Sequence, residues 1–205
     1  MKLTFKKEFS GDESTLPQRT VPGAVQFREA ESMKKLAIVA NILAVIIMVV
    51  TMVPVFPVFV HYARTHGFES FSGTPYLLLF FIFLVIIPLH ELLHAVCFKG
   101  DVEFYTALKK GLCFVVGTET MTKGRFIFMS LLPNLVFGFL PYLLYLIFFP
   151  GQLWLGLLAA ICIGSGAGDY INIWHALTQM PKGSLTYMSG MHSYWYLPQD
   201  GAGNA

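Results

Sequence analysis

The segment His90-Glu91-Leu92-Leu93-His94 lies inside an apolar run, Tyr76 to Phe98, that otherwise contains no charged residue. Nothing else in the chain restricts its fold so strongly. An ionisable side chain in hydrocarbon costs at least about 2.5 kcal/mol by insertion scales, so a glutamate between two histidines there needs partners. On a helix, positions i and i+4 stack one turn apart, so His90 and His94 share a face and can share a zinc ion. Glu91, roughly 100° further round, can reach a water beside that ion and act as general base.

Composition agrees with a bilayer. A soluble domain carries about 25% charged residues. This chain of 205 residues has 13%, with 55% hydrophobic, which predicts an integral membrane protein. A net charge of +2 gives no basis for binding nucleic acid. Cys97, Cys113 and Cys162 are too few and too scattered for a disulfide framework. Residues 1–35 are polar and lack the basic-then-apolar pattern of a cleavable signal peptide, so the first apolar segment is expected to stay as a signal anchor.

Four segments have the length of about 20 apolar residues that a spanning helix needs: 36–60, 76–98, 126–149 and 153–177. The predicted fold is therefore an all-α membrane protein. It has four transmembrane helices, a polar arm (1–35), a C-terminal tail (178–205), and a short β-hairpin between the second and third spans. Val102 to Leu108 and Leu112 to Gly117, joined through Lys109-Lys110-Gly111, form that hairpin. The aromatic residues Tyr187, Tyr194, Trp195 and Tyr196 read as anchors at the lipid interface. Seven Lys and Arg residues precede the first span, five lie in the 99–125 loop and one in the tail, against Arg64 alone on the other side. That bias puts both termini and the 99–125 loop in the cytosol.

This topology permits a depth argument. His90 and Asp169 each lie eight residues before the cytosolic end of their span, Phe98 and Leu177. At 1.5 Å per residue both sit about 12 Å below that surface. Glu91 and Asp169 are the only acidic residues in the four spans, and a shared cation explains two carboxylates and two histidines at one level. Asp169 would complete a His90, His94, Asp169 set of zinc ligands with one position open. Gly164 and Gly168, four residues apart, would let the Asp169 helix come close to its neighbour. Asn134 shares the same depth and can orient substrate or satisfy a carbonyl freed by Pro133. Asn172, one turn beyond Asp169, can hydrogen-bond a metal ligand or clasp another helix.

These residues, His90-Glu91-Leu92-Leu93-His94 with Gly168-Asp169 on a later helix, resemble the putative zincin peptidase family of small bacterial membrane proteins. That family is in turn similar to the site-2 protease group of intramembrane metalloproteases. The resemblance spans roughly Tyr76 to Leu177. It implies Zn2+ held by His90, His94 and Asp169, Glu91 as the catalytic base, a peptide or membrane-protein substrate, and a place in the bacterial cytoplasmic membrane. In site-2 proteases the aspartate commonly precedes a glycine, whereas here Gly168 precedes Asp169 and Tyr170 follows. The competing expectation is a non-catalytic membrane zinc protein: a structural site, a metal transporter or a scaffold that binds membrane helices. A structural site would be closed by a fourth ligand, for which Cys97 is the obvious candidate. A transporter would carry polar residues through the outer halves of its spans, and these are apolar.

Overall fold

The computed structural model describes residues 1–6, 8–30, 33–67, 73–107 and 112–198. Element order is β1 (Leu3–Phe5), β2 (Val25–Gln26), α1 (Met33–His66), α2 (Gly73–Val96), β3 (Val102–Ala107), β4 (Leu112–Val116), β5 (Met121–Thr122) and α3 (Lys123–Asn134). A π-helical turn (Leu135–Phe139) then joins α3 to α4 (Leu140–Phe148). Next come α5 (Leu153–Ser165), α6 (Ala167–Gln179), β6 (Leu185–Ser189) and β7 (His192–Tyr196). The chain forms two compact units, Met1–Glu31 with Glu91–Leu131 and Ile171–Ala205, and Ser32–His90 with Leu132–Tyr170.

The first unit overturns the all-α, four-span expectation, because it is built on two sheets. In one, the order is β1-β3-β4: β1 runs parallel to β3 (Leu3↔Val102) and β3 antiparallel to β4 (Glu103↔Val116). The Lys109-Lys110-Gly111 turn of that hairpin lies outside the described residues. The other sheet has the order β2-β7-β6-β5, antiparallel throughout. The segments read as a polar arm and tail thus supply strands. The aromatic tail is half of a hairpin: Gly190, with φ +60°, opens its two-residue loop, where the twist of paired strands favours positive φ. Tyr187 and Tyr194, expected at the lipid interface, stack across the strands at 5.5 Å. Phe27, Phe98, Val102, Phe104, Met121 and Phe126 form the heart of this unit's core. Phe98 lies so close over Gly117 that a β-carbon there would come within 2.5 Å of its ring.

The second unit is helical. Among the described residues of the chain, three helices are long and apolar enough to cross a membrane: Lys35–His66, Leu77–Val96 and Lys123–Phe148, the last running through the π turn. The predicted fourth span, 153–177, is broken: α5 and α6 meet at Gly166 with a bend of 45°. Val55, Tyr142, Tyr145, Ala159 and Ile163 are the unit's buried centre. Close packing there depends on missing side chains, since β-carbons at Gly138 and Gly156 would each lie 2.7 Å from Ile163 and Tyr145. α1 is apolar all round and keeps Val49 and Val53 62% and 67% exposed, a surface suited to a lipid environment.

Candidate metal centre

Helix α2 presents His90, Glu91 and His94 with one ligand atom from each, all within 4.8 Å of one another, in an arrangement that can hold a metal ion. The spacing is a local consequence of helical geometry. Ala95, fully buried, and partly buried Leu92 pack into the first unit's core and fix the rotation of the helix. Its C-terminal end is fastened as well. Arg125 Nη2 and Nε donate to the Cys97 carbonyl (2.6 and 3.2 Å), and Glu119 Oε2 accepts the backbone N–H groups of Lys99 (2.5 Å) and Gly100 (2.8 Å). Arg125 Nη1 and Glu119 Oε1 close the clamp at 2.5 Å.

His94 is 8% exposed, and its Nδ1 lies 2.9 Å from the Met129 carbonyl oxygen. A carbonyl only accepts, so Nδ1 carries the proton and the lone pair of the neutral ring sits on Nε2. The origin of this contact is in the sequence. Within an α-helix the Met129 carbonyl would accept from the N–H four residues on, and that residue is Pro133, which has none. His94 supplies the missing donor. This is the usual second bond of a metal-ligating histidine, which fixes ring orientation and tautomer.

His90 Nε2 lies 3.1 Å from Asp169 Oδ2, with side chains 17% and 13% exposed. Asp169 stands in the first turn of α6, just past the Gly166 break. Asn134, 1% exposed, donates from Nδ2 to the same Oδ2 at 2.8 Å, and its Oδ1 accepts from the Tyr170 hydroxyl at 3.2 Å. So His90, Asp169 and Asn134 are brought together, although Asp169 is not part of the three-residue group on α2. Asn172 is not drawn in: it is partly exposed and makes no side-chain hydrogen bond among the described residues. Cys97 also stays outside, its thiol donating to the Leu93 carbonyl at 3.5 Å. Cys113 on β4 feels Glu91: burial first, then the Glu91 charge, pushes its thiol above the usual range.

These donors suit zinc. Two histidines and a carboxylate are borderline ligands of the kind it takes. Ligands held at about 2.0–2.1 Å in a tetrahedral set stand roughly 3.3 Å apart, close to the 3.1 Å between His90 and Asp169. Tyr170, Gly166 and Met129 were not found by reading the sequence for site residues, and the carbonyl freed by Pro133 is met by His94 where Asn134 had been the expected partner. Only the Pro133-Asn134 pair left a signal there, since a proline inside a helix always orphans a carbonyl.

Two histidines one turn apart, a glutamate after the first and a committed Nδ1 on the second define a metallopeptidase-type helix. The chain belongs to the family described as "Putative zincin peptidase", which matches residues 83–185. The matched stretch takes in His90, Glu91, His94, Asn134 and Asp169. No curated protein and no solved structure matches the chain.

Proposed function

We propose that this protein is a membrane-embedded zinc peptidase in which His90, His94 and Asp169 hold the metal and Glu91 moves the proton. The observation that carries the reading is the His94 Nδ1 bond to the Met129 carbonyl, which commits that imidazole to presenting Nε2 on the face it shares with His90. Zinc, when bound there, supplies a Lewis acid that polarises a peptide carbonyl and makes water acidic near neutral pH. Glu91 takes a proton from water onto its carboxylate and later delivers it to the leaving amine nitrogen. The apolar helix α2 keeps this exchange away from bulk water, and the exposed apolar faces of α1 and α2 support a place in a bilayer. The substrate is a peptide or membrane protein reached from that environment. A structural zinc site would need a further protein ligand, and Cys97 is turned to a backbone carbonyl instead.

The test uses the full chain in proteoliposomes with a transmembrane peptide carrying a fluorophore and quencher. Glu91→Gln should keep zinc, measured as metal per chain, while cleavage falls by about 10²-fold or more. Undiminished cleavage in that variant, or a wild type that binds no zinc, defeats the reading.

A further inference from the structure

The acidic group facing His90 is not left to orient itself. Asn134 is almost completely buried, and its amide has one possible orientation. A carboxylate can only accept, so the atom 2.8 Å from Asp169 Oδ2 must be the amide nitrogen. Oδ1 therefore faces Tyr170, whose hydroxyl donates to it. The result is a directed chain: Tyr170 O–H to Asn134 Oδ1, Asn134 N–H to Asp169 Oδ2, and Asp169 Oδ2 beside His90 Nε2 at 3.1 Å. The space for it comes from one glycine. A β-carbon at position 166 would fall 1.7 Å from Asn134 Oδ1 and 2.4 Å from its Cγ, so Asn134 occupies the hollow that Gly166 leaves at the α5–α6 break.

We propose that Asn134 is the positioning residue for Asp169, held in its working orientation by Tyr170 and admitted by Gly166, and that it tunes metal binding through that carboxylate. The inference rests on Asp169 being a zinc ligand, as proposed above. Asn134 neither touches the metal nor shuttles protons. A neutral N–H on Oδ2 fixes the direction of the carboxylate and draws off part of its charge without adding any.

Outer hydrogen-bond partners of metal ligands typically alter affinity 10–100-fold when removed. Zinc affinity of the full-length protein in detergent, read by competition with a chromophoric chelator, should therefore weaken by about that factor in Asn134→Ala and Gly166→Ala. The isosteric Tyr170→Phe should weaken it several-fold, guarding against a simple folding defect. Cobalt in place of zinc gives a second readout: the variants should shift the visible bands of the bound ion, which a purely structural loss would not do. In the Asp169→Ala background, Asn134→Ala should add nothing, because its effect passes through the missing carboxylate. Affinity and cobalt spectrum unchanged in Asn134→Ala and Tyr170→Phe, or a full additional loss in the double variant, overturns the positioning role. An Asp169→Ala variant that binds zinc like wild type instead defeats the ligand assignment on which it rests.

Discussion

A β-carbon at position 164 would lie 2.4 Å from Met48 Cγ and 3.0 Å from the Ala44 carbonyl oxygen, whereas one at 168 would meet nothing within 4 Å. The two glycines look equivalent in sequence, four residues apart among small neighbours, yet only the first stands at a close helix approach. Gly164→Ala should cost about 1–3 kcal/mol, as overpacking does, because the Ala44 carbonyl cannot swing away as the Met48 side chain can. Gly168→Ala should be neutral or stabilise by up to about 1 kcal/mol, since alanine is the better helix former. Thermal unfolding of the two variants in the same detergent checks this, and equal destabilisation would contradict the contact difference. The comparison shows what a residue pattern carries. His90, Glu91 and His94 were legible because their geometry is internal to one helix. Gly166 was not, because its meaning depends on Asn134, which approaches from a helix far away in sequence.

Elements are held by their ends and by their defects. Pro133 inside α3 frees the Met129 carbonyl for His94. Pro133→Ala restores an N–H that competes for that carbonyl, so two effects of opposite sign are expected. The metal-free protein should be as stable or more stable, because proline in a helix interior is unfavourable by about 3 kcal/mol relative to alanine. Zinc affinity should fall by about tenfold as the His94 ring loosens. Unfolding of the metal-free protein and chelator competition separate the two; unchanged affinity would remove Pro133 from the account. At the end of α2, burial alone would raise the Glu119 carboxyl. The Gly100 N–H, the Arg125 guanidinium and the Lys99 N–H outweigh it and hold it below the ordinary carboxylate range. A carboxylate depressed in the folded state stabilises fully above its unfolded value, and that contribution disappears as pH falls through the folded value. Below about pH 4.3 the wild type should therefore lose thermal stability more steeply than Glu119→Gln, which at neutral pH is weaker by on the order of 1–3 kcal/mol. Parallel stability–pH curves for the two would show that the clamp does not act through its charge. The strands that the sequence reading missed have a common cause. β1, β2 and β5 are two or three residues long, too short for a period of two to register, and β1 and β2 find partners about a hundred or more residues away. β6 and β7 were hidden differently, because Tyr and Trp suit a strand pair as well as a lipid interface.

At the scale of the whole molecule, the strand pairings constrain the topology more firmly than hydropathy does. β1, before the first apolar helix, pairs with β3, which follows α2, and β2 pairs with β7, which follows α6. A hydrogen-bonded sheet cannot be divided by hydrocarbon, so these three segments share one side of any bilayer that α1 and α2 cross. The distribution of basic residues predicts which side. Thirteen of the 14 Lys and Arg residues belong to those segments or their flanks, and only Arg64, in the last turn of α1, stands at the opposite end of that helix. The expected outcome is a cytosolic sheet unit with the α1–α2 connection outside. With alanine at Cys97, Cys113 and Cys162, single cysteines introduced at exposed His61, Lys99 and Lys182 should separate in intact cells. A membrane-impermeant maleimide should reach His61→Cys directly, and the other two only after permeabilisation. Lys99→Cys and Lys182→Cys labelling on opposite sides would be incompatible with the sheets. Both labelling from outside would keep the sheets and reverse the expected orientation.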